Sequence, residues 1–96
     1  MRLTSFEQKE IKKAFLEIFE EGKIYLFGSR VDDTQRGGDI DLYLCPVKEF
    51  EDMRKKKTDF LVKLDLAIGE QKIDVVMAKD KNRTIEQVAL RDGIEL

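Results

Sequence analysis

Three aspartates and one Gly-Ser pair carry the chemical interest of this sequence. Asp39 and Asp41 flank Ile40 in Gly38-Asp39-Ile40-Asp41-Leu42, Asp74 lies within Ile73-Asp74-Val75-Val76, and Gly28-Ser29 closes the run Lys23-Ile24-Tyr25-Leu26-Phe27. On a strand, residues i and i+2 point to one face, so the first two carboxylates stand side by side. Aligned carboxylates repel each other, and the arrangement becomes favourable when a hard cation such as Mg²⁺, which prefers carboxylate and phosphate oxygens, sits between them. Two solvated acids at the start of an edge strand have the same spacing, and spacing alone does not separate the two readings. Gly28 lets the backbone turn tightly and approach a ligand, while Ser29 adds a hydroxyl and free N–H groups that suit phosphate oxygens. As a bare dipeptide the pair is equally an ordinary turn.

Other chemistries are excluded by composition. The chain has no His and a single Cys, Cys45, which removes disulfide scaffolds, Cys/His zinc sites, Ser-His-Asp triads and Cys-His pairs. What remains are carboxylates, hydroxyls, amines and oxygen-bound metals. The 96 residues, with 18 Lys+Arg against 20 Asp+Glu and a net charge of −2, suit one domain spanning 1–96. Charged residues reach 40 %, well above the roughly 25 % of an average domain, yet the signs alternate along the chain. That pattern makes a solvated surface rather than a DNA-binding field, and no direct DNA binding is expected. No run approaches the ~18 apolar residues of a membrane span, and the N-terminal residues lack a signal-peptide core. The expected setting is a reducing cytoplasm, with no membrane partner.

The elements that must position these residues follow from periodicity. Thr4 and Glu7 have capping-box spacing, and Ile11, Phe15, Ile18 and Phe19 form an apolar stripe, predicting a first helix that Gly22 stops. Lys23–Phe27 and Asp39–Leu44 read as strands, joined by a loop from Ser29 to Gly38. Between Val47 and Gly69, Phe50, Met53, Phe60 or Leu61, Leu64 and Ile68 trace a second helix, with Gly69 suited to the left-handed residue after its end. Ile73–Met77 is a third strand, and Thr84 with Gln87 predicts a capping box before a last helix with Ile85, Val88 and Ala89 inward. The order α-β-β-α-β-α describes an α+β domain with a mixed sheet of about three strands.

Topology draws the chemistry together. A helix-length crossover favours parallel pairing of the second and third strands, which sets Asp74 near Asp39 and Asp41. A short connection favours an antiparallel first strand, whose end carries Gly28-Ser29 to the same edge. Asp74 among Ile73, Val75 and Val76 reads as an acid in a buried strand, unfavourable there without a metal or partner. Arg30 and Arg36 follow and precede this corner and could offset phosphate charge, or be plain loop arginines. Lys72, on the strand face of Asp74, could balance the acids but is read as a solvated strand-end residue, Arg54-Lys55-Lys56-Lys57 as a solvated helix face, and Cys45 as a small buried hydrophobe rather than a reactive thiol. Val62, Leu66, Ile94 and Leu96 are apolar residues that either pack internally or meet a partner.

Taken jointly, Gly28-Ser29-Arg30, the nine residues between Ser29 and Asp39, the Asp39-Ile40-Asp41 triplet and the later Asp74 resemble the signature of the DNA polymerase β-like nucleotidyltransferase superfamily, closest to its minimal branch. The resemblance covers roughly residues 23–78, and its Gly-Ser to Asp-x-Asp spacing is one residue shorter than in the best-known minimal members. It implies that Gly28, Ser29 and Arg30 meet nucleotide phosphates, and that Asp39 and Asp41 bind two Mg²⁺ ions, which Mn²⁺ can replace. Asp74 then ligates one ion and helps activate an attacking hydroxyl. It further implies an NTP substrate, ATP first among them, and a HEPN-type helical partner that such proteins oppose as antitoxins.

Three functions follow from the resemblance. The first is transfer of a nucleoside monophosphate to a hydroxyl, with or on that partner. The second is a non-catalytic antitoxin that neutralises a helical protein by binding alone. The third is modification of a small molecule, for which a chain this short lacks a recognition domain unless a partner or a second copy of the chain supplies it.

Overall fold

The computed structural model describes residues 3–28 and 39–96. Its elements are α1 (Ser5–Phe19), β1 (Gly22–Phe27), β2 (Ile40–Pro46), α2 (Met53–Ile68), β3 (Ile73–Met77), α3 (Thr84–Asp92) and β4 (Ile94–Glu95). The four strands form one mixed sheet in the order β3-β2-β1-β4, with β1 antiparallel to β2 and β4, and β2 parallel to β3. The expected α+β order and both strand pairings are present, with one strand more.

Local chemistry sets the helix starts. The Thr4 hydroxyl accepts from the Glu7 N–H at 3.0 Å while the Glu7 carboxylate accepts from the Thr4 N–H at 3.0 Å, the expected capping box. α1 nevertheless ends earlier than Gly22: Glu20 takes the positive φ of 71°, and Gly22 already belongs to β1. α2 starts at Met53 because the Asp52 carboxylate accepts from the Lys55 N–H at 3.0 Å, and Gly69 follows its end with φ of 83° as expected.

Alternation along the strands divides the sheet into two faces. Ile24, Leu26, Ile40, Leu42 and Leu44 turn to the main core, where they meet Ile11, Phe15 and Phe19 of α1 and Phe60 and Leu64 of α2. Phe19 is the hub, with its ring edge-on to Phe50 and Phe60 at 6.3 Å each. The opposite face carries Phe27 and Tyr43, against which Ala89 of α3 packs, with Tyr25, Cys45 and Val76 around them. α3 thus covers part of the second face, and the acids occur on the part beyond it.

The chain's last residues close the sheet. Leu26 pairs with Ile94, Tyr25 with Glu95, and the Leu96 N–H donates to the Ile24 carbonyl at 2.9 Å. Ile94 and Leu96 are therefore used internally. Val62 and Leu66 are not: they are 54 % and 82 % exposed on α2.

Candidate functional site

The geometry of the acidic corner comes from strand register. The parallel β2–β3 ladder sets Asp41 opposite Asp74, and the antiparallel β1–β2 ladder sets Phe27 opposite Asp41. Neighbouring strands lie about 4.8 Å apart, so the Asp41 and Asp74 backbones are adjacent. Asp39 lies immediately before β2, where the Ile40 N–H donates to the Lys72 carbonyl at 3.0 Å and ties this end of the ladder.

Gly28, one residue beyond Phe27, enters the same corner. Its φ is +79°, and a Cβ placed on it would collide with the Asp41 carboxylate oxygen and lie 3.2 Å from its Cγ. The Asp41 side chain therefore occupies the space that a side chain at position 28 would need. The expected convergence of Gly28 with the acids is present. Ser29, Arg30 and Arg36 lie outside the described residues.

Electrostatics mark Asp41 as the strained member. Burial pushes its carboxyl above the usual range, the negative charges of Asp74 and Asp39 add to the rise, and Lys72 opposes it. The Lys72 ammonium lies 3.3 Å from Asp39, with side-chain exposures of 75 % and 36 %. Lys72 is thus an exposed counter-ion to the acids rather than a solvated lysine without a partner. Such a pair is worth about 0–1 kcal/mol and gives way easily to a stronger cation.

One expectation needs correction. Asp74 is not buried: β3 pairs with β2 alone among the described strands and is an edge strand, so its second residue is solvated. The apolar neighbours that suggested burial face the main core (Ile73, Val75) or the α3 side (Val76). Among the described residues, no three acidic, His or Cys side chains form a ready metal cage. The donor chemistry still suits a divalent cation, since the Asp74 and Asp39 charges bear on the Asp41 carboxylate and a cation would relieve that repulsion.

Sequence reasoning missed Glu86. It is 1 % exposed, and its carboxylate accepts from Tyr43 Oη at 2.7 Å, from the Lys79 N–H at 3.0 Å and from the Asp80 N–H at 2.8 Å. Arg83 adds an ion pair at 3.2 Å. Burial works to raise its pKa, but these hydrogen bonds and the Arg83 charge outweigh it and hold the group below the carboxylate norm. The capping box expected from Thr84 and Gln87 does not form: Arg83 caps without a side-chain bond, Thr84 is the first helical residue, and Ile85 is 39 % exposed. The available signal was the i, i+3 spacing of Glu86 and Ala89, which share the buried face of α3.

Glu86 binds α3 to β2 at Tyr43, two residues from Asp41 and on the same face. Burial first, then the bond to Glu86, drives the Tyr43 phenol far above its usual pKa, so it remains a hydrogen-bond donor and is no base at neutral pH. Burial likewise raises the half-buried Cys45 thiol, in keeping with the unreactive residue expected.

Among the described residues no helix is long and apolar enough to cross a membrane. A comparison with curated proteins returns no match. Residues 9–96 match the family described as Polymerase beta, Nucleotidyltransferase, a span that includes both sheet faces, the three aspartates and Gly28. A mixed sheet that aligns Asp41 with Asp74 over a glycine turn is thus accompanied by a match along most of the sequence, and the chain belongs to the polymerase β nucleotidyltransferase family.

Proposed function

We propose that the domain transfers AMP from ATP to a hydroxyl acceptor, with Asp39, Asp41 and Asp74 as the metal-binding acids and Gly28, Ser29 and Arg30 as the phosphate-binding turn. The observation that supports this most directly is the stacking of Asp41 over Gly28 and beside Asp74, which couples the turn to the acids. Two bound Mg²⁺ ions, or Mn²⁺ in their place, would supply Lewis-acid activation of the hydroxyl and neutralise charge on the leaving pyrophosphate. The acceptor oxygen bonds to the α-phosphorus as the bond to pyrophosphate breaks, and Asp74 helps to activate the hydroxyl by accepting the proton it loses. Among the described residues, the exposure of Asp74 on an edge strand leaves its side of the sheet open for the acceptor.

The proposed cellular role is that of an antitoxin acting with or on a HEPN-type helical protein. Exposed Val62 and Leu66 on α2 supply an apolar patch that such a partner would cover. Their exposure equally supports neutralisation by binding alone, and one experiment separates the two. Labelled ATP, Mg²⁺ and the partner are incubated with the wild-type chain and with Asp39→Asn/Asp41→Asn. Label transfer by the wild type, lost in the variant together with neutralisation, supports the enzyme. Neutralisation by the variant without transfer supports occlusion.

Lys72 offers a finer check of the acids' role. Because its ammonium competes with a metal for Asp39, Lys72→Met is expected to lower the Mg²⁺ concentration for half-maximal transfer several-fold. A raised requirement would mean that Lys72 serves the substrate instead.

A further inference from the structure

Among the described residues the outer edge of β3 has no strand partner, and it combines three features that the acidic corner does not use. The ladder bonds Ile40 N–H to Lys72 C=O and Ala78 N–H to Leu44 C=O fix the parallel phase. Alternation then turns the backbone groups of Lys72, Asp74, Val76 and Ala78 toward β2, and those of Ile73, Val75 and Met77 outward. The edge thus presents three N–H donors and three C=O acceptors. Beside it runs a groove of about 440 Å³ between β3, the first turns of α2 and the start of α3. Among the described residues its charged lining is Arg54, Lys57, Lys79 and Arg83, the last already paired with Glu86, with no acid in the lining, and Met53 and Val75 give it an apolar wall.

We propose that this edge is a docking strand for an extended, acidic polypeptide segment of another protein, added beside β3 as a further strand. A peptide supplies N–H donors for the three outward carbonyls, whereas a nucleic-acid backbone would set phosphate oxygens against them. A second copy of the chain docked edge to edge would bring its own Arg54 and Lys57 against this cationic groove, a like-charge arrangement that opposes pairing. Acidic side chains on an added strand would instead meet Arg54, Lys57 and Lys79. Arg54 and Lys57, expected to be part of a merely solvated helix face, are here two sides of a groove.

The proposal is independent of nucleotide transfer, and its test needs neither ATP nor metal. The probe is a fluorescent decapeptide of alternating Glu and Val, followed by anisotropy, with hydrogen exchange on the protein. Binding is expected, with slowed exchange at the Ile73, Val75 and Met77 amides. Arg54→Glu/Lys57→Glu, both surface changes, should weaken binding about tenfold or more. The same peptide N-methylated at alternate residues should not bind. No binding of the parent peptide, equal binding of the methylated or Lys-for-Glu peptide, tighter binding of oligothymidylate to the same groove, or protection of these amides by self-association would each overturn the proposal.

Discussion

Glu86→Ala is expected to destabilise the domain by about 3–5 kcal/mol, a loss on the scale of truncating a buried aromatic. Truncation leaves the Lys79 and Asp80 N–H groups and the Tyr43 hydroxyl without their acceptor, and removes the counter-ion of Arg83. The Tyr43 hydroxyl is a buried orphan that costs about 1–3 kcal/mol, and the part-buried Lys79 and Asp80 N–H groups and the 42 % exposed Arg83 add smaller losses that bring the total to about 3–5 kcal/mol. A domain of this size commonly has only about 5–15 kcal/mol in total, so the variant should melt far below the parent or fail to accumulate. Tyr43→Phe removes one of these bonds and should cost about 1–2 kcal/mol. The pH dependence has a definite sign. The folded-state pKa of Glu86 lies below its ordinary value near 4.5, so the stabilisation is complete above that pH and is lost as the pH falls below it. Glu86→Gln should therefore show a flatter decline in urea midpoint between neutral and acid pH than the parent. Parallel declines for the two proteins would remove Glu86 as the source.

The same network explains what the sequence could and could not reveal. Periodicity exposed α1, α2 and the three longer strands, because each carries at least two inward residues at a regular interval. Asp-x-Asp and the late Asp were legible for the same reason: a strand's two-residue period fixes which face a side chain takes. β4 was not legible, since two residues carry no period and its pairing with β1 depends on where α3 delivers the chain. Glu86 was hidden by a general tendency that it breaks. A glutamate in the first turn of a helix is usually solvated, and only the fold reveals that the 79–80 backbone and Tyr43 converge on it. Asp74 erred in the opposite direction: its apolar neighbours belong to the sheet's two faces, while the open edge beside β3 leaves the acid in water.

These two acids divide the labour of the second sheet face. Glu86 is buried, satisfied and fixed, and it fastens α3 over Tyr43. Asp41, two residues from Tyr43 on β2, has its carboxyl raised by burial first and then by the Asp74 and Asp39 charges, with Lys72 the opposing cation among the described residues. A buried network fully supplied with hydrogen bonds is rigid, and rigidity beside the Asp41 carboxylate is what keeps the latter aimed. The corner is therefore stable for reasons separate from its chemistry, and changes confined to the acids should leave the fold intact.

Gly28→Ala should show how much that aim matters. The residue sits at φ of +79°, where alanine is strained, and its new Cβ would meet the Asp41 carboxylate. Either the turn or the Asp41 side chain must move. A displacement of about 1 Å in a catalytic group can cost about 10²-fold in rate, so transfer should fall by about that factor or more. Strain alone would lower stability by about 1–2 kcal/mol and leave activity per folded molecule unchanged. Gly69→Ala separates the two effects. Gly69 has nearly the same φ, +83°, with no atom within 4 Å of the position a Cβ would take. It should lose comparable stability and keep full transfer. The informative comparison is thus turnover per folded molecule in the two alanine variants, alongside Asp41→Asn and the double variant Gly28→Ala/Asp41→Asn. If Gly28 acts by positioning Asp41, its substitution should cost little more once the Asp41 carboxylate is gone, because neighbouring groups that share one role are not additive. Full turnover by Gly28→Ala, or losses that simply multiply in the double variant, would separate the glycine turn from the aspartate and leave Asp41 acting without it.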